Sequence, residues 1–96
     1  MKLLLIVVNS DHAADVGALL EQYGVPGYSE IPTILGKGAT GRKLGTRAFP
    51  GTSTLFFAAV APEHCTTLVD ELRALRDDRG PEEGLKVYSL DTKELL

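Results

Sequence analysis

Between Gly36 and Gly51 the chain reads GKGATGRKLGTRAFPG, with five glycines, four basic residues and no acidic residue. Glycines let backbone N–H groups approach an anion closely, and Lys37, Arg42, Lys43 and Arg47 add positive charge that nothing adjacent in sequence compensates. The chemistry implied is recognition of a phosphate, a carboxylate or an acidic partner surface. Gly36, Gly38 and Gly41 match the spacing of the dinucleotide fingerprint and follow a predicted strand. That site, however, needs a helix immediately afterwards to aim its N-terminal amides at a pyrophosphate, and RKLGTRAFPG argues against one. Gly36 and Gly41 also have the spacing of a P-loop, yet Arg42 and Lys43 stand where Lys-Ser or Lys-Thr is required. The competing reading is a solvent-exposed loop kept flexible by its glycines and soluble by its charges.

His12, His64 and Cys65 form a second constellation, since two imidazoles and a thiolate suit a transition metal. Against it, Cys65 opens the apolar stripe of a predicted helix, and histidines at exposed helix starts are common. There is no CxxC pair, and a single cysteine makes no internal disulfide, which fits a reducing cytoplasm. An enzyme is not expected: Ser10, Ser29, Ser53 and Ser89 lie outside any GxSxG setting, and the pairs Asp77-Asp78 and Glu82-Glu83 read as solvated loop. A net charge of −3 argues against bulk attraction to nucleic acid or anionic membrane, so any anion site must be local. An RNA-binding sheet is also disfavoured, because the first strand has no aromatic residue and Phe56 and Phe57 point to opposite faces.

These residues need elements to hold them, and the 96-residue chain has room for one domain and one core. Lys2 to Val8 is a continuous apolar run expected as a central strand, too short for a secretory leader's core. Asn9 or Ser10 caps a helix to about Tyr23, with Gly24 as its stop. Residues 27–35 look extended, and Pro32 pushes that strand towards a sheet edge. Thr52 to Val60 is the second central strand. Pro62 starts a helix expected to end near Asp77, with Cys65, Leu68, Val69, Leu72 and Leu75 on one stripe. After the turn-rich DRGPEEG, Leu85 to Leu90 is a fourth strand. The order βαββαβ predicts an α+β, ferredoxin-like fold: an antiparallel sheet with two helices on one face. In this reading both helix C-termini share the sheet end that carries the basic loop and DRGPEEG, while both helix N-termini, with His12 and His64, lie at the opposite end.

The strand order, with GVPGYSEIPTILGKG leading into a long loop and RGPEEGLKVYSL forming the last loop and strand, resembles the PII signalling superfamily over nearly the whole chain. In that family the loop between the second and third strands is the T-loop, with a Gly-x-Gly element at its base, and the loop before the last strand is the B-loop. Gly36-Lys37-Gly38 and Gly84-Leu85-Lys86 occupy those places. The resemblance implies one PII-like domain over residues 1–96, and a homotrimer that binds ADP, AMP, ATP or a bicarbonate-like small anion in clefts between subunits. It further implies a T-loop that reports ligand state to a target protein such as a membrane transporter. The ligand residues so implied are Gly36, Lys37, Gly38, Thr40, Gly41, Arg42, Lys43, Arg47, Arg79, Gly84 and Lys86, with no certain cofactor and no nucleic-acid partner. The departures are specific. Thr40 replaces the glutamine that helps classical members hold Mg-ATP and 2-oxoglutarate, no tyrosine lies between Tyr28 and Tyr88, and no arginine-bearing segment follows Leu96. The alternative is a metal-binding or metal-tolerance protein similar to the CutA branch, using His12, His64 and Cys65.

Overall fold

The computed structural model describes residues 1–23, 25–38, 41–43, 51–80 and 84–96. Its elements are β1 (Lys2–Asn9), a 3-10 turn (Ser10–His12), α1 (Ala13–Gln22), β2 (Ser29–Ile34), β3 (Gly36–Gly38), β4 (Gly41–Lys43), β5 (Ser53–Val60), α2 (Pro62–Arg79) and β6 (Lys86–Asp91). The main sheet has the order β2-β5-β1-β6 with every neighbouring pair antiparallel, so the two most apolar runs are its central strands, as the sequence implies. This is the α+β ferredoxin-like arrangement. The glycine-rich segment contributes a separate two-stranded ribbon, with Gly36 opposite Lys43, Lys37 opposite Arg42, and Gly38 opposite Gly41.

Strand alternation decides which residues form the core. Leu4, Ile6 and Val8 of β1 and Phe56, Ala58 and Val60 of β5 face the helices and are buried, as a period of two requires. Val16 and Leu20 of α1 and Leu68 and Leu72 of α2, each pair one helical turn apart, close over them. The Asn9 side chain accepts a hydrogen bond from the Asp11 amide at 3.0 Å, so the first turn after β1 is 3-10 and α1 starts only at Ala13. The stop expected at Gly24 lies outside the described residues. α2 begins on Pro62, whose missing N–H costs nothing at that position. It runs two residues past the expected stop at Asp77 and ends at Gly80, whose φ of 99° suits glycine alone and whose amide bonds the Arg76 carbonyl at 2.8 Å.

The direction of the helices differs from the sequence expectation. Because β5 runs antiparallel to β1, the helix that follows each strand starts at the opposite end of the sheet. The α1 N-terminus follows Asn9, which pairs with Ser53, whereas α2 follows Val60, which pairs with Lys2. The end with the basic segment therefore carries the start of α1 and the end of α2, not two helix C-termini.

The sheet face away from the helices is apolar. Register sets Phe57, Leu5 and Tyr88 in one row across three strands, and Ile31, Leu55 and Val7 in the row above. Phe57 is 37% exposed, Tyr88 56% and Ile31 43%. At the far end, Lys2 and Asp91 form an ion pair that raises the lysine pKa and lowers that of the carboxyl, chiefly through their hydrogen bond.

A basic, glycine-rich end of the sheet

Three chain segments converge at the sheet end where β1 finishes. The ribbon β3–β4 follows Ile34, which pairs with Ser53. The connection from α2 re-enters the sheet at Lys86, which pairs with Val7. Between them, the turn before α1 is fixed by the Ser10 amide bonding the Thr52 carbonyl at 3.0 Å. Sequence reasoning correctly brought the basic segment and the α2–β6 connection to one end.

Hydroxyl groups anchor the base of the ribbon. The β2–β5 register shifts between Ile31 and Ile34, and there the Pro32 carbonyl accepts from Thr54 Oγ1 at 3.1 Å and Ser10 Oγ at 3.4 Å. Ser10 Oγ also lies 2.8 Å from Thr52 Oγ1 and 3.0 Å from Thr54 Oγ1. Side chains thus meet hydrogen-bonding capacity at a bulge adjoining a proline, where the ladder is irregular. Thr54 is 1% exposed. Thr54→Val keeps its shape but leaves Pro32 and Ser10 short of a partner. It is expected to cost about 1–3 kcal/mol, read as a lower urea midpoint, with Thr54→Ser closer to the wild type. Sequence reasoning missed this cluster; its only signal is the run of hydroxyl residues flanking β5.

Of the sequence-predicted ligand residues, Gly36 and Lys37 are exposed at the start of the ribbon, and Gly38, Gly41, Arg42 and Lys43 take the register positions given above. Thr40 and Arg47 lie outside the described residues. Gly36 does not adopt positive φ, and a Cβ built on it would meet nothing within 4 Å among the described residues. Neither conformation nor crowding within the described chain demands glycine there. Gly84 has φ 79°, in the region that favours glycine, and directs Leu85 into the core and Lys86 to the surface. Arg79 is engaged by Asp15: its Nη2 donates to Asp15 Oδ2 at 3.0 Å, joining the last turn of α2 to the first turn of α1. Arg79 also lines a small pocket with Val8, His12, Leu75, Gly80 and Leu85.

The sheet order separates the two glycine-basic segments laterally. β2 and β6 are the opposite edges, three strand spacings or roughly 14 Å apart. Lys37 and Lys86 share an end of the sheet but arise from its opposite borders, so one phosphate-sized group does not bridge the strand ends that carry them.

The metal constellation comes apart in the structure. His12 follows β1 at the basic end, whereas His64 and Cys65 lie in the first turn of α2 at the other end. The eight-residue strand between them spans roughly 20 Å, too far for one ion. The expectation of both helix starts at one end is corrected by the antiparallel path of β5. No group of three or more metal-ligating side chains occurs among the described residues. Among them, too, no helix is long and apolar enough to cross a membrane.

No protein-family model matches the sequence, and no curated protein matches it. Solved structures do. CPII, a nitrogen regulatory PII-like protein from Thiomonas intermedia K12 bound to ADP, AMP and bicarbonate, aligns with a TM-score of 0.77 at 23% identity, covering 93% of this chain and 82% of that one. The apo form of CPII gives a TM-score of 0.71 at 20% identity, covering 93% and 85%. A candidate PII-like signalling protein from Thermus thermophilus gives 0.67 at 18% identity, covering 93% and 83%. With two helices on one face of a sheet ordered β2-β5-β1-β6 and a ribbon inserted between β2 and β5, the chain has the fold of the PII-like proteins.

Proposed function

We propose that residues 1–96 form one divergent PII-like domain, a non-enzymatic regulatory protein of the cytoplasm. It binds an adenine nucleotide, with or without a small carboxylate-type anion such as bicarbonate, and signals to a target protein through the segment between β2 and β5. The observation that carries this reading is the arrival of two glycine-basic segments, Gly36–Gly38 and Gly84–Lys86, at one end of a PII-like sheet. CPII, of the same fold, was solved with ADP, AMP and bicarbonate. An exposed Gly36 that nothing in the described chain requires to be glycine leaves room for a ligand to approach the backbone.

The lateral separation of Lys37 and Lys86 favours a cleft between subunits, where one copy's ribbon meets a neighbour's β6 end. The apolar sheet face supports the homotrimer this needs: rows led by Phe57, Leu5 and Tyr88 form a patch that a neighbouring subunit would cover. Light scattering is expected to give three times the chain mass; a stable monomer at micromolar concentration removes the cleft. Calorimetric titration with ADP, AMP, ATP and bicarbonate tests the ligand class. Saturable binding of a nucleotide is expected, and indifference to all four overturns the reading.

A further inference from the structure

We infer that Asp15 is a built-in competitor for the anion site, holding Arg79 in the unliganded protein and yielding it to a phosphate of the incoming ligand. This rests on the reading of the basic sheet end as an anion site and adds a control on its affinity. Asp15 Oδ2 accepts from Arg79 Nη2 at 3.0 Å and lies 4.0 Å from His12 Nδ1, so one carboxylate oxygen faces two basic side chains. The contact joins residues 64 positions apart and is an ion pair that ties the start of α1 to the end of α2. The neighbouring Arg76 is held differently, by the adjacent Asp77 of its own helix.

Exchange at Arg79 is physically cheap. Its side chain is 44% exposed and that of Asp15 39%, and a pair so wetted is worth no more than about a fivefold factor in an equilibrium. A guanidinium has five donors arranged as a fork, and phosphate fills that fork at least as well as a carboxylate while bringing more charge. Ligands with two or more negative charges therefore displace Asp15 more readily than monoanions, which gives the site a preference for a nucleoside diphosphate over a lone carboxylate.

The test is ADP affinity in a double-mutant cycle on the full chain. Asp15→Asn is expected to tighten ADP binding about three- to fivefold, Arg79→Ala to weaken it, and Asp15→Asn to do nothing in the Arg79→Ala background. On the unmutated protein, the Arg79 Nε–H resonance should shift as ADP saturates, which needs no variant to fold. If the wild type binds ADP and Asp15→Asn binds it no better, or that resonance stays put, the competitor role fails while the anion reading stands. A gain that persists without Arg79 also overturns it, because Asp15 then acts through its charge alone. If neither wild type nor Asp15→Asn binds ADP, both readings fall.

Discussion

Phe56→Ala is expected to lower the unfolding free energy by about 3–5 kcal/mol, the largest effect of any single truncation considered for this chain. Phe56 is fully buried at the centre of β5, beneath both helices, and is the largest of the fully buried side chains. Its ring lies 6.0 Å from that of Tyr28, tilted by 52°, and touches the position where a Cβ on Gly17 would lie, 3.9 Å away. The ring thus spans the α1 face and the start of β2, and neither side can collapse without moving a helix. A domain of this size holds roughly 5–15 kcal/mol in all, so the loss approaches the threshold of folding. Chemical denaturation should show a markedly lower midpoint. Phe56→Leu, which refills much of the volume, should recover over half of the loss.

Lys86→Ala is expected to weaken nucleotide binding by about 1–3 kcal/mol, or roughly 5- to 150-fold, while leaving the urea midpoint close to that of the wild type. Lys86 is exposed as the first residue of β6, and its pairing with Val7 puts it at the basic end. Gly84, held at positive φ, and Leu85, buried in the core, fix the backbone leading into the strand, so truncating the lysine removes charge without disturbing it. Lys37→Ala should act in the same direction from the other border of the sheet. Calorimetry on each variant and on the pair checks this: additive losses indicate two separate contacts with one ligand. An unchanged affinity in both variants would mean that these lysines are only solvated charges.

The apolar runs of β1 and β5 and the helical stripe of α2 were legible in the sequence because burial imposes its period directly on residue type. Pro32 marked the edge strand for a local reason, its missing donor, and β2 is indeed an edge. The ribbon of Gly36–Gly38 with Gly41–Lys43 was not legible. Glycine, lysine and arginine are weak strand formers, and Ala39-Thr40, between the arms in sequence, is none of the glycine-bearing pairs that mark a two-residue hairpin turn. The placement of His12 was lost for another reason. Helix direction follows from strand direction, and reading both central strands as pointing the same way put its partner His64 beside it, although β1 and β5 are antiparallel. The Asp15–Arg79 contact and the hydroxyl cluster around Pro32 join residues far apart in sequence through polar side chains, which leave no periodic trace.

The central claim is that Gly36–Gly38 and Gly84–Lys86 hold one anionic ligand together. Amide hydrogen exchange with and without ADP tests it most directly, because each segment reports separately. Slower exchange in both segments on adding ADP, with β1 and β5 unchanged, is the expected result. ADP binding that leaves both segments exchanging as before, or slows exchange only at the opposite end around His64 and Cys65, would contradict the account.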